Sequence, residues 1–174
     1  LTTDNGGAIA LNGDVGRGTN GILGALSAIT NGSATIRLND VVTRDNSVGA
    51  GGKPSATGDQ SYTAGSGVTL TDANSGTTGA QYSTGGGDFT VTSATTLAAD
   101  TSVTTTGVDV TAVLNPNGVR TGGSIAFNGT VDSAANAGNT NSAFFTLALN
   151  AQGFNPTLTT DNGGAIALNG DVGR

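Results

Sequence analysis

The sequence predicts an all-β solenoid, in which short strands stack coil upon coil along one axis. Three observations lead there. The first is a repeat: residues 1–17, LTTDNGGAIALNGDVGR, return letter for letter as residues 158–174. Identity that extends to polar positions such as Thr2, Asp4 and Arg17 is the mark of a tandem array. The chain therefore reads as one full repeat over 1–157 and the start of the next identical repeat over 158–174. The second observation is the period-2 placement of apolar residues in short segments, which argues against disorder. The third is composition: 30 Gly, twelve acidic residues that are all Asp, and 4% aromatics. Asp bonds its own backbone in turns whereas Glu favours helices, and Val, Ile and Thr favour strands.

The elements follow in order. Residues 8–15, AIALNGDV, set Ile9 and Leu11 on one face and Ala8 and Ala10 on the other. Asn12-Gly13 then turns the chain before Val15, giving strand, turn and short strand. Leu23, Leu26 and Ile29 fall at a spacing of three, but Gly24 and Thr30 argue against a long helix, so 22–32 reads as a coil corner. Residues 35–42, TIRLNDVV, repeat the opening pattern one Gly shorter. Residues 45–67, with Pro54 and few apolar anchors, read as a loop. VTLT at 68–71 and FTVT at 89–92 read as strands on either side of a second polar loop running to Gly87. Residues 95–106 give a half-coil through Leu97 and Val103. Val108, Val110 and Val113 give another, closed by Pro116-Asn117-Gly118. Residues 123–131 restate the opening motif, Phe145, Leu147 and Leu149 alternate, and Phe154-Asn155-Pro156 leads back to the repeated start. The anchors Ile9, Ile36, Val68, Phe89, Val108, Ile125, Leu147 and Ile166 divide the 157-residue period into seven intervals of about 22 residues, which predicts about seven rungs per repeat. Each strand alone buries too little to offset its ordering entropy. Stacking creates one thin continuous core, which is expected to be too narrow for many aromatics.

A net charge of −6 with a single Lys disfavours nucleic acid and anionic membrane as partners. The absence of Cys and His removes disulfides, thiolate chemistry and the commonest general base. No apolar run approaches the ~18 residues of a membrane span, so no membrane insertion is expected. The opening without Met or signal peptide reads as an internal or mature segment.

Candidate sites are structural. The motif Gly-x-Ile-x-(Leu/Phe)-Asn-Gly-x-Val occupies 7–15, 123–131 and 164–172, with 36–41 as a shortened copy. Its Asn12, Asn39, Asn128 and Asn169 are expected to form a turn ladder, tolerating left-handed backbone and bonding between rungs. Asp14, Asp40, Asp72, Asp88, Asp109 and Asp132 are mostly separate and sit beside turns, and the nonapeptide repeat of calcium-binding β-rolls is absent, so solvated turn carboxylates are expected and no metal or cofactor site. Cleavage of carbohydrate would need clustered carboxylates, often with a basic partner, whereas the five Arg and one Lys are scattered, so no catalytic residue and no enzyme activity are expected. Thr69/Thr71, Thr90/Thr92 and Thr104/Thr106 read as ordinary outward Thr in preference to an ice-binding ladder. Asn31-Gly32-Ser33 and Asn128-Gly129-Thr130 are possible glycosylation acceptors at Asn31 and Asn128.

GGSIAFNGTVDS, FFTLALNAQG and SATTLAADTSVTTTG are similar to stretches of filamentous-haemagglutinin-like large exoproteins and related bacterial adhesins. The resemblance covers most of residues 60–174. It implies a secreted, right-handed parallel β-helix forming a stalk or fibre. The expected role is thus a structural repeat of a fibre, stalk or sheath at the bacterial cell surface, joined end to end to further copies and open to lateral bundling. Two alternatives accompany it: an adhesin module binding a surface or host glycan through its loops, and a β-sandwich pilin or S-layer subunit joined by donor-strand exchange.

Overall fold

In the computed structural model, which describes residues 1–16, 23–43, 58–72, 79–105, 122–134, 145–151 and 164–173, every regular element is a β-strand. The chain visits three sheets in a fixed order. A first coil passes β1 (Thr2–Thr3), β2 (Ile9–Leu11) and a single bridge at Val15. A second passes β3 (Leu26–Thr30), β4 (Thr35–Leu38) and β5 (Val41–Val42). A third passes β6 (Gln60–Thr63), β7 (Gly67–Leu70) and β8 (Ala80–Ser83), and a fourth β9 (Phe89–Val91), β10 (Thr95–Leu97) and β11 (Thr101–Thr104). A fifth passes β12 (Ile125–Phe127), β13 (Val131–Ser133) and β14 (Leu147–Asn150), and β15 (Ile166–Leu168) opens a sixth.

The sheets stack as β1-β3-β6-β9-β12-β15, β2-β4-β7-β10-β13 and β5-β8-β11-β14, here called sheets 1, 2 and 3. Every pairing between the described strands is parallel. A sandwich is built from antiparallel sheets, so the donor-strand alternative finds no support in this topology. Parallel neighbours need a long crossover, and here each crossover is a trip through the other two sheets.

Alternation within each strand decides which side chains enter the core. In β7, Val68 and Leu70 are buried and Thr69 is half-exposed. The same phase holds along sheet 2, where Ile9, Ile36, Val68, Thr95 and Val131 form one inward column and Leu11, Leu38, Leu70 and Leu97 the next. One residue of slip would expose both columns, so burial fixes the register.

The structure differs from the sequence reading at several points. Except for β8 and β11, where Ala80 pairs Thr101, sheet-mates lie farther apart than about 22 residues: Thr2 pairs Ile29, Leu26 pairs Gln60 and Ile125 pairs Ile166. The expected seven rungs per repeat are therefore corrected. The coil has three faces, and the anchors used for the spacing sit on different ones. Ile9, Ile36 and Val68 are on sheet 2, Phe89, Ile125 and Ile166 on sheet 1, and Leu147 on sheet 3. The corner assigned to 22–32 contains β3, and the two polar loops contain β6 and β8. The half-coil at Val108, Val110 and Val113, the turn at 116–118 and the segment 154–156 lie outside the described residues, as does Asp109.

The bore is also wider than expected. Tyr62, Tyr82, Phe89 and Phe127 are fully buried, and the Phe89 ring lies 5.8 Å from Tyr62, 5.8 Å from Tyr82 and 5.7 Å from Phe127. Aromatics are few in the sequence, yet these four occupy the middle of the solenoid. Their tilted, edge-on packing adds to the area they bury.

Candidate functional site

Two regions combine recurrence with unusual chemistry: the corners between sheets, and the open coils at the two ends.

At the corner leaving sheet 3, Thr43, Thr84 and Thr105 are buried side chains that follow β5, β8 and β11. Their hydroxyls donate to the carbonyls of Gly58, Gly87 and Gly123, which lead into the sheet 1 strand of the next coil. The fifth coil carries Ala151 there, and its carbonyl accepts from the Gly164 amide at 2.8 Å. Beside this corner lies a buried polar knot. Gln60 Nε2 donates to the carbonyls of Val41 at 3.2 Å and Ser83 at 3.0 Å and to Thr43 Oγ1 at 3.2 Å, while Tyr62 donates to Gln60 Oε1 at 3.1 Å. Tyr82 donates to the Leu38 carbonyl at 3.0 Å. Burial pushes both phenols well above their ordinary titration range, and the neighbouring Tyr82 adds to the shift of Tyr62.

The aspartates make more than solvated turns. Asp59 Oδ1 accepts from the Asp88 amide at 2.9 Å, and Asp88 Oδ1 accepts in turn from the Ser124 amide at 2.7 Å. These residues immediately precede β6, β9 and β12, so each carboxylate ties its coil to the following one. Asp40 before β5 binds the Gln81 amide at 2.7 Å. Asp100 before β11 binds the Thr146 amide at 2.8 Å and hydroxyl at 3.0 Å. Those bonds, the amide first, hold the Asp100 carboxyl below its usual range against a smaller opposing effect of desolvation. Among the described residues no three acidic side chains come together as a metal site would require.

The Asn residues form two pairs, one on each of two sheets. Asn12 and Asn39 follow β2 and β4 on sheet 2, where the Asn39 amide nitrogen bonds the Leu11 carbonyl at 3.0 Å and its side chain donates to Asp14 Oδ1 at 2.7 Å. Asn128 and Asn169 follow β12 and β15 on sheet 1, where the Asn169 side chain donates to Asn128 Oδ1 at 2.8 Å. The inter-coil bonding thus exists, but none of the four adopts the expected left-handed backbone; among the described non-glycine residues that belongs to Asn5, at φ +57°. Asn31 is exposed, and its side chain donates to Asp4 Oδ1 at 3.2 Å. Thr69, Thr90 and Thr104 stand on sheets 2, 1 and 3, so they do not align into one flat ladder.

Between the corners, glycine carbonyls and backbones stack at close range. A Cβ on Gly123 would lie 2.0 Å from the Gly87 carbonyl oxygen, and one on Gly164 would lie 2.2 Å from that of Gly123. At Gly123 and Gly164 the motif's first glycine is therefore needed for coil-to-coil approach, whereas a Cβ on Gly7 would meet only its own turn, 3.3 Å from Thr3 Cβ.

At the ends, the identical segments sit in different places. Ile9, Ala10 and Leu11 pair with Ile36, Arg37 and Leu38 on sheet 2, with Val15 bridging Val41. Ile166, Ala167 and Leu168 pair with Ile125, Ala126 and Phe127 on sheet 1, with Val172 bridging Val131 on sheet 2. Ile9 is 8% exposed, whereas Ile166 is 48% and Val172 54% exposed. The outer edge of β15 pairs with no described strand. No protein family, curated protein or solved structure matches the chain.

Proposed function

We propose that the chain is a structural unit of an extracellular fibre, stalk or sheath at a bacterial surface, lengthening through stacked β-coils. One observation carries this reading: a solenoid with an open edge holds, at that edge, a copy of its own first coil. An open parallel edge presents unpaired amides and carbonyls together with apolar side chains, which another chain segment can continue. A repeat that restarts at the edge supplies that continuation, and further copies end to end are the partners it implies. A right-handed winding accompanies the proposal, because β-crossover-β connections between parallel strands take that hand in almost all cases. The bacterial surface location rests on the resemblance of GGSIAFNGTVDS and FFTLALNAQG to large exoproteins.

The test is cryo-electron microscopy of a chain spanning several periods. The expected result is an unbranched filament with an axial repeat of about 4.8 Å. Separate beads without that spacing would overturn the stacked-coil reading.

A further inference from the structure

We propose that the open edge of β15 is covered by the Thr35–Leu38 strand of a following unit, and that successive units are consequently rotated by one face of the solenoid. The proposal rests on the end-to-end reading above and specifies its geometry.

The sequence 158–174 is identical to 1–17, and the structure shows which residues the first copy accepts on its following side. Ile9 takes Ile36, Ala10 takes Arg37 and Leu11 takes Leu38. Val15 takes Val41, and Asp14 receives the Asn39 side chain. The second copy presents the same side chains with the same alternation in Ile166, Ala167, Leu168, Asp171 and Val172. Its Ile166, Leu168 and Val172 are the exposed apolar residues of that end, at 48%, 43% and 54%. A second Ile36–Arg37–Leu38 strand laid on β15 would cover them in the register already used at the other end.

The rotation follows from where the two copies sit. Ile9 belongs to sheet 2 of the first coil, and Ile166 belongs to sheet 1 of the sixth. From one copy to the next the chain therefore advances five coils less one face, which is four and two-thirds coils for 157 residues. A unit added on β15 carries its sheet 2 in line with sheet 1 of the unit before. At a coil spacing of about 4.8 Å the unit rise is about 22 Å, with a rotation of about one third of a turn. Three units restore the original face. Outward residues of sheet 2, such as Arg37 and Asp132, would then recur on all three sides of the fibre, and no side would remain without them.

The experiment uses a chain of several consecutive units, imaged to obtain rise and rotation per unit. A rise near 22 Å with a third of a turn is expected. A rise near 24 Å with no rotation, meaning five whole coils, would overturn the proposal and leave stacking intact. Loss of the axial 4.8 Å spacing would remove the underlying reading as well. The absence of Cys allows an independent check by paired substitution in the same chain. Ala126→Cys with Ala167→Cys, and Ala167→Cys with Arg37→Cys of the following unit, are expected to cross-link. Cross-linking of Ala167→Cys with Asp132→Cys instead would place the second copy on sheet 2 and refute the rotation.

Discussion

Gly13, Gly129 and Gly170 hold the same position in three copies of one motif, yet stacking gives them different duties. A Cβ on Gly129 would lie 2.4 Å from the Ser93 carbonyl carbon, and one on Gly170 2.3 Å from the Gly129 oxygen, whereas Gly13 has nothing within 4 Å. None of the three has positive φ, so the difference is space alone. Gly129→Ala should cost about 1–3 kcal/mol, because backbone must move to admit the methyl group. In a chain that starts at Leu1, where no coil precedes it, Gly13→Ala should be neutral or stabilising by up to about 1 kcal/mol through the unfolded chain. Denaturant unfolding of the two variants checks this, and equal losses would contradict the close stacking. The motif itself was legible in the sequence, and its copies do stack on one another: 7–15 on 36–41, and 123–131 under 164–172. The roles of Thr43, Thr84 and Thr105 were not legible. Their partners are glycine carbonyls at the start of the next coil, and no local spacing distinguishes a buried Thr that closes a corner from an outward Thr in a strand.

At the scale of the strand, the recurring device is an Asp placed immediately before a strand and bonded to the matching amide one coil later. Asp100 heads β11 in this way and fastens Thr146, which heads β14. Its carboxyl is held low in the folded state, so the bond contributes stability above the ordinary carboxylate range, near 4. That contribution is lost as pH falls through the lowered value. Acid should therefore loosen β14 from β11, seen as faster amide exchange in β14. Asp100→Asn should remove that pH dependence while keeping an oxygen acceptor. An unchanged acid profile in the variant would show that Asp100 is not the group responsible. Strand content was only partly legible because β6 and β8 hide in polar surroundings: Gln60, Tyr62 and Tyr82 face inward, but the alternating partners Ser61, Thr63, Gln81 and Ser83 make the segments resemble loop. Their burial depends on a core wide enough for aromatic rings, which a reading based on small apolar residues underestimates.

For the whole molecule, three faces change the arithmetic of the repeat. Counting anchors along the chain mixes sheets and shortens the coil, whereas strand pairing shows the three sheets running through six, five and four coils. The same sheets enclose Tyr62 and Tyr82, whose phenols interlock the second, third and fourth coils through Gln60, Leu38 and Phe89. Neither ring can reach water while those coils stay packed. Both titrate above their ordinary value in the fold, so the stability tied to the protonated phenols is complete below about pH 10 and is lost as pH rises beyond it. Alkaline unfolding should consequently be cooperative, with tyrosinate absorbance and loss of β-sheet circular dichroism rising together above about pH 10. Since the chain has two Tyr and no Trp, the absorbance change reports these two residues directly. Ionisation near pH 10 with the β-signal intact would mean that solvent reaches the middle of the solenoid, and the continuous core joining its coils would have to be abandoned.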